Sequence, residues 1–387
     1  MSASGPLAGL RVLEIAGVGP GPHCAMLLAD MGADVLRIDR VRARYRVHAR
    51  TDLLNRGRRS VALDLKQPRA VETVLSLAEK ADVLLEGFRP GVMERLGLGP
   101  EPVLARNPRL VYARLTGWGQ EGPLAEAAGH DLNYLALTGA LHAIGPASGP
   151  PAPPLNLAGD FGGGALYAAF GILAALFERG TSGKGQVVDA AMVDGAASLM
   201  TFVQGLMAAG WWRDEREANL IDGGAPFYRC YETADGKWVA LGAIEPEFYD
   251  AFLRLTGLDA EALPKRMDRA NWPELTERFQ RLFLTKTREE WCALLEGTDA
   301  CFAPVLTLEE APAHPHMAAR GALAASHGVV QSGPAPRFSR TPGALSRPPP
   351  APGEDTRDAL AGWGLDGADI DALIASGGAL QAEAIDD

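Results

Sequence analysis

The chain has 387 residues, 47% of them hydrophobic, and a formal net charge of −11. That length predicts two domains, and the acidic balance excludes a general nucleic-acid binder, which would present a basic surface. No apolar run approaches the length of a membrane span, the first residues lack a basic flank before an apolar core, and Ala384-Ile385-Asp386-Asp387 is not a peroxisomal address. A cytoplasmic protein with no membrane partner is therefore expected. Four cysteines (Cys24, Cys230, Cys292, Cys301) stand far apart without metal-ligand spacing, which fits reduced thiols and no bound metal.

Residues 11–15 read as a strand, followed by a loop from Gly17 to Pro22. A helix comes next, with Ala25, Leu27, Leu28 and Met31 apolar and Gly32 as its stop, then a second strand over 35–38. Strand, helix, strand opens a parallel sheet. The glycine loop with Asp39 beyond it has the outline of a dinucleotide fingerprint. Pro20 and Pro22 remove N–H donors from the turn that would hold a pyrophosphate, so that reading is rejected.

Between 37 and 59 stand Arg37, Arg40, Arg42, Arg44, Arg46, Arg50, Arg56, Arg58 and Arg59, against only Asp39 and Asp52. This island is either a solvated face or a phosphate-binding surface, since guanidinium groups match phosphate oxygens bidentately. Tyr45 alone is interleaved among them, too little for a groove that stacks successive bases. Further strands are expected at 61–63, 83–85 and 110–115, with a helix opened by Pro68 and loops at Glu86-Gly87-Phe88-Arg89-Pro90-Gly91 and Thr116-Gly117-Trp118-Gly119. Residues 1–190 then form a large open parallel-sheet, Rossmann-like α/β domain, which binds ligands beyond the carboxyl ends of its strands.

Asp160 reads as the N-cap of a helix that ends near Arg179, before the turn 180–185 and a strand at 187–189. Linker helices occupy 191–225, including an apolar one from Asp194 to Gly210 whose Met200 to Met207 are either core or adaptable contacts. From Pro226 the pattern changes. Residues 227–231 and 237–241 flank Ala234-Asp235-Gly236 as an antiparallel hairpin, and helices follow, making 226–325 a smaller α+β domain. Glu245, ahead of Pro246, is its best-placed carboxylate. Residues 326–387 are a proline-rich arm and a C-terminal helix returning to the large domain, with Leu360, Ile370 and Leu373 apolar. His314-Pro315-His316 is a poor metal site.

The chemistry concentrates between Gly129 and Gly164. Gly129-His130-Asp131 places an imidazole beside a carboxylate in a glycine-flanked loop, and Gly159-Asp160 places a second carboxylate before Gly162-Gly163-Gly164. Two proton carriers at the ends of one excursion suggest general acid–base catalysis. The plain alternative is a satisfied loop histidine and an ordinary N-cap.

The stretch Gly17 to Asp34, Gly87 to Gly91 followed by Glu94-Arg95-Leu96-Gly97, Thr116 to Gly119, Ser182-Gly183-Lys184-Gly185-Gln186 and Gly353-Glu354-Asp355-Thr356 resemble family III coenzyme A transferases and their racemase relatives, over nearly the whole chain. Gly129-His130-Asp131, Leu157-Ala158-Gly159-Asp160 and Ile244-Glu245-Pro246 resemble the racemase branch, which acts on 2-methylacyl-CoA thioesters. The transferases usually keep the aspartate and lack the histidine.

The resemblance implies an interlocked homodimer with active sites between the large domain of one subunit and the small domain of its mate. It implies coenzyme A held by Arg40, Leu63, Asp64, Leu65, Lys66, Gly87, Phe88, Arg89, Arg95, Gly129, Leu132, Asn133 and Tyr134. The expected reaction is cofactor-free 1,1-proton transfer, interconverting 2R and 2S epimers through an enolate. His130 and Asp160 would be the two acid/base groups, with Asp131 and Glu245 supporting them and Glu245 orienting His130. The enolate oxygen would be met by backbone N–H groups of the glycine-rich entry after Asp160. The competing expectation is a coenzyme A transferase in which Asp160 is a nucleophile forming a mixed anhydride. Coenzyme A would be part of the substrate and no separate cofactor is expected.

Overall fold

A computed structural model describes residues 5–41 and 48–383; Arg42, Arg44 and Arg46 lie outside the described residues. The chain divides into two compact units. The first comprises residues 1–138, 155–199 and 315–387, the second 139–154 and 200–314.

The first unit begins with β1 (Arg11–Ile15), α1 (Pro20–Asp30), β2 (Asp34–Arg40), β3 (Arg59–Leu63), α2 (Pro68–Ala78) and β4 (Val83–Glu86). It continues with α3 (Val92–Arg95), α4 (Pro100–Arg106), β5 (Val111–Thr116) and α5 (Asp131–Leu137). A π-helical stretch, Leu157–Leu166, leads into α6 (Tyr167–Ser182), β6 (Val187–Ala191) and α7 (Met192–Leu199). The second unit holds α8 (Thr201–Ala208), β7 (Tyr228–Glu232), β8 (Trp238–Gly242), α9 (Pro246–Thr256), α10 (Trp272–Phe283), α11 (Arg288–Leu295) and β9 (Phe302–Val305). The rest of the first unit is α12 (Pro315–Arg320), β10 (Leu323–Ser326), β11 (Val329–Ser332), α13 (Thr356–Gly362), α14 (Gly367–Ala375) and β12 (Ala379–Leu380).

The large sheet has the order β12-β3-β2-β1-β4-β5-β6, parallel throughout except for the β12–β3 edge pair. Strand side chains alternate between two cores, as a sheet covered on both faces requires. Leu13, Leu36, Val61, Leu84 and Tyr112 pack with Val74 and Leu77 of α2 and with Leu360, Ile370 and Leu373 of the C-terminal helices. Val12, Val35, Leu85, Val111 and Ala113 pack on the opposite side with Leu28 of α1 and Ala168 and Ile172 of α6. β1 is the turning point: β2 and β3 extend the sheet to one side, β4 and β5 to the other. A crevice must open there above the strand ends, and this positions the site.

Two local features depart from the sequence reading. Asp160 lies inside the π-helical run rather than capping a helix, with Asn156 flanking the start. A π turn widens the helix by one residue per turn, a strained form that recurs at functional sites. Here Gly163 backs onto α7 so closely that a Cβ on it would stand 2.6 Å from the Ala196 nitrogen. In addition, Leu157–Ser182 is a continuous helical run long and apolar enough by composition to cross a membrane, against the expectation that none would be. It packs on α1, β5, β6 and α7, so its apolar composition serves the sheet unit at least in part.

In the second unit β7-β8-β9 form an antiparallel sheet whose Tyr231, Val239, Leu241 and Phe302 face Phe252, Phe279, Phe283 and Trp291. Residues 139–154, which sequence patterning leaves with the first domain, group with this unit. Arg216 donates to the carbonyls of His142, Pro146 and Gly149, and Glu217 accepts the Ala147 N–H. The methionine-bearing α8 has no buried residue, so it is not core.

Candidate active site

A cavity of about 890 Å³ lies in the first unit where the sheet order turns. Its walls come from the loop after β1 (Gly17, Val18, Gly19), the end of β2, the loop after β4 (Gly87, Phe88, Arg89), the loop after β5, Gly129, His130 and Tyr134, and Asp160. His130 and Asp160, 30 residues apart in sequence, thus share one chamber.

Each is held by its own local structure. His130 precedes α5 in an extended conformation, its backbone N–H donating to Asn133 Oδ1 at 3.0 Å while its side chain stays exposed. Asp131 turns the other way and is buried, and its Oδ2 accepts the N–H groups of both Gly159 and Asp160 at 2.7 Å. This carboxylate does the capping that the sequence reading assigned to Asp160. Asp160 is half-buried, with Oδ2 accepting from Asn156 Nδ2 at 3.3 Å. Burial is the largest influence on its carboxyl, which titrates above the ordinary aspartate range. The Asn156 bond and His130 oppose the shift, and the negative Asp131 adds to it. A carboxyl so placed carries a proton over a wider pH range, which suits an acid that must also act as a base.

Asn156 carries no signal in the sequence, because it lies outside any helix periodicity and before the π-helix. Leu155 beside it has φ +56°, an uncommon conformation for a bulky residue, of the kind that collects at functional sites. Gly19, with φ +69°, brings the loop after β1 so close that a Cβ would lie 3.6 Å from Asp160 Oδ2. Gly129 is required by contact instead: a Cβ there would sit 2.7 Å from the Tyr134 ring and 3.0 Å from the Trp118 indole. Those rings meet edge to face at 4.8 Å, and burial, with Asp160 and Asp131 near, pushes the Tyr134 phenol up to about 12.

The N–H groups expected to meet an enolate oxygen are already engaged. Gly159 and Asp160 donate to Asp131, Phe161 donates to the Asn156 carbonyl at 3.4 Å, and the residues that follow donate within the π-helix. Gly21, in the first turn of α1 between Pro20 and Pro22, lines the cavity, and its N–H is one that no intrahelical bond requires.

Of the residues expected to hold coenzyme A, Arg40, Gly87, Phe88, Arg89, Gly129 and Tyr134 line the cavity. The Arg40 guanidinium lies 5.8 Å from the Phe88 ring centroid. Glu86 fixes the Gly87–Arg89 loop by accepting the Phe88 N–H at 2.7 Å and Arg114 Nε at 3.1 Å. Leu63, Asp64, Leu65 and Lys66 lie at the end of β3, with Leu63 in register with Arg40, Leu65 against the core and Lys66 exposed. Arg95 is exposed on α3, and Leu132 and Asn133 are exposed on α5, none of them lining the cavity. Glu245 is an exposed residue of the second unit, immediately before α9.

Five of the six described arginines of the basic island are held in ion pairs. Arg56 pairs with Asp30 at 2.7 Å, Arg58 with Glu14 at 2.9 Å, Arg59 with Asp34 at 2.7 Å and Arg37 with Asp39 at 3.3 Å. Arg50 pairs bidentately with Glu354 of the proline-rich arm. These guanidinium groups hold the chain together, which leaves Arg40 as the described member directed at the cavity without a carboxylate partner. Among the described residues no cluster could hold a metal, and His314 bonds Glu296 at 2.7 Å.

Residues 7–356 match the model of CoA-transferase family III. The chain is 49% identical to the α-methylacyl-CoA racemase of Mus musculus over 93% of each chain. It is 48% identical to that of Homo sapiens, over 93% of this chain and 94% of the relative. A CAIB/BAIF family protein from Brucella suis has a similar solved structure, with a TM-score of 0.80 and 26% identity, covering 93% of this chain and 100% of that one.

Proposed function

The chain belongs to CoA-transferase family III, and we infer that it is an isomerase interconverting the 2R and 2S epimers of 2-methylacyl-CoA thioesters. The observation that carries this reading is the imidazole of His130 in the same cavity as the carboxyl of Asp160. Removing a weakly acidic α-proton from one face and returning one to the other needs two proton carriers that differ in protonation. The pair carries one proton between them, and either group can hold it. In one direction neutral His130 takes the α-proton while Asp160 delivers its own to the opposite face. In the other direction the roles exchange, so no cofactor is needed. The Gly21 N–H is the proposed donor to the enolate oxygen, replacing the engaged groups after Asp160. Glu245 is proposed to orient His130.

Arg40, Phe88 and Arg89 at the outer wall are proposed to take the nucleotide end of coenzyme A, leaving the thioester toward His130 and Asp160. We also read the protein as a homodimer. Leu166 at the end of the π-helical stretch and Phe170, Leu173 and Phe177 of α6 recur along one helical face and are 52%, 71%, 41% and 85% exposed, an apolar stripe of the kind that marks an association surface.

The alternative is a transferase in which the ionised Asp160 carboxylate acts as nucleophile. Incubation with a (2R)-2-methylacyl-CoA in deuterium oxide, without an acceptor acid, separates the two. The racemase reading expects the 2S epimer carrying α-deuterium. Absence of exchange, together with movement of coenzyme A once a carboxylic acid is added, overturns it.

A further inference from the structure

The turn that presents Glu245 is gripped by a cation from a distant segment of the second unit. Arg266 Nη1 donates to the Ile244 carbonyl at 2.6 Å and approaches the Ala243 carbonyl at 3.4 Å. Its guanidinium carbon lies 4.8 Å from the Tyr249 ring centroid and 5.2 Å from that of Phe227. Arg266 is itself fixed, since its carbonyl accepts the Trp272 indole N–H at 2.8 Å and the neighbouring Lys265 carbonyl accepts Asn271 Nδ2 at 3.0 Å.

The turn between β8 and α9 is short and tied at every residue. The Gly242 N–H donates to the Cys301 carbonyl at 2.8 Å, and Ile244 N–H donates to the Gly242 carbonyl at 2.9 Å. Pro246 then opens α9 with its fixed φ, and the Glu245 carbonyl accepts the Tyr249 N–H at 3.0 Å. The carbonyls of Ala243 and Ile244 are the acceptors this arrangement leaves over, and one guanidinium serves both. The Glu245 side chain, with no capping bond of its own, projects exposed from this hydrogen-bonded turn.

We propose that Arg266 is a positioning residue for the isomerase reaction, acting by fixing the direction in which Glu245 leaves the β8–α9 turn. This rests on the reading of Glu245 as the group that orients His130. Cation–π contact with two rings would alone explain an arginine that covers an aromatic core, but it does not require a 2.6 Å bond to the carbonyl preceding the functional carboxylate. A misplacement of about an ångström, even from a change far from the chemistry, can cost about a hundredfold in rate.

The test is a double-mutant cycle in the full-length chain, with racemisation of a (2R)-2-methylacyl-CoA as readout and thermal midpoints recorded for every variant. Arg266→Met is expected to lower kcat about tenfold with KM changed less than about twofold, and Arg266→Lys, which keeps a cation and one donor, to recover part of the loss. In a Glu245→Gln background, Arg266→Met should cost less than about twofold more, because both changes disable the same group. A full tenfold loss on top of Glu245→Gln, or a normal kcat in Arg266→Met, overturns the proposal. If Glu245→Gln itself turns over normally, the role of Glu245 fails and the proposal fails with it. That outcome is distinct, because failure at Arg266 alone leaves Glu245→Gln slow.

Discussion

One oxygen of the Asp131 carboxylate accepts the backbone N–H groups of both Gly159 and Asp160, each at 2.7 Å. A buried carboxylate at the start of α5 therefore fixes the π-helical segment that carries Asp160. It also places a negative charge where it favours the protonated form of its neighbour. The same side chain thus holds the segment that carries Asp160 and adds, after burial, to the upward shift of its carboxyl.

Asp131→Asn separates these effects. The amide keeps one acceptor oxygen, so the backbone of Gly159 and Asp160 can still be bound, but the charge is gone. Since the Asp131 charge raises the Asp160 carboxyl, its removal lowers it. The acid limb of the kcat/KM profile reports a second proton entering the His130–Asp160 pair, and it should move to lower pH. An unmoved limb would show that Asp131 acts on geometry alone. A fall in kcat of about tenfold is expected from loosened positioning.

Asn156→Ala predicts the opposite displacement. Its amide donates to Asp160 Oδ2 and favours the ionised carboxylate, so without it the carboxyl rises further. The acid limb should move to higher pH. Comparing Asp131→Asn and Asn156→Ala in one buffer series checks both signs. Limbs that shift in the same direction would contradict the assignment of Asp160 to that limb.

Asp160→Asn, with His130 intact, tests the division of labour. One carrier remains, so epimerisation should slow by about a hundredfold to ten-thousandfold, while deuterium exchange at one epimer persists through His130. Exchange is followed by mass spectrometry and chirality by separation of the epimers. Loss of both to the same degree would mean that His130 does not work independently.

The sheet was legible because its signals are local. Val12, Val35 and Val83 sit in short apolar runs bounded by turn residues, and each falls in a strand. Gly32, Pro68 and Pro246 mark helix ends by their backbone chemistry alone. The pair His130 and Asp160 was legible for a different reason, the glycines around it. What could not be read depends on partners far away in sequence. Arg56 seeks Asp30, Arg50 seeks Glu354 across 304 residues, and the Asp131 carboxylate displaces Asp160 from its expected cap, yet none of these pairings has a periodicity. Asn156 and Arg266 escaped for the same reason: each lies in an irregular segment whose contacts no periodicity marks.

The exposed face of α6 makes the dimer testable. Phe177→Glu places a charge where an apolar contact is expected, and adding Phe170→Ser removes a second contact about two helical turns away. Both residues are more than two thirds exposed in the isolated chain, so folding of the monomer should tolerate the changes. Sedimentation velocity is expected to show a dimer for the wild type and a shift toward monomer for the double variant, with racemisation falling in parallel. A wild-type protein that sediments as a monomer at micromolar concentration would remove the dimer from the scheme.

Glu14 and Arg58 give the clearest stability prediction, because their pair is almost completely removed from solvent, at 1% and 0% side-chain exposure, with Nε–Oε2 at 2.9 Å. Arg58 also donates to the carbonyls of Pro22, Leu54 and Arg56, so its charge ties α1 to the segment before β3. Burial, with the nearby Arg37 adding to it, pushes the pKa of this guanidinium down, and Glu14 is the main influence that opposes the shift. Glu14→Gln keeps the shape and leaves a buried cation without its counter-charge. Removing one partner of such a pair typically costs about 3–5 kcal/mol, which corresponds to roughly 6–20 °C in the thermal midpoint of a unit this size. Glu14→Gln with Arg58→Met should be less destabilised than the sum of the single variants, since the double change buries no unpaired charge. Additive losses, or a midpoint unchanged in Glu14→Gln, would show that the carbonyl bonds of Arg58, not its ion pair, hold this corner of the sheet.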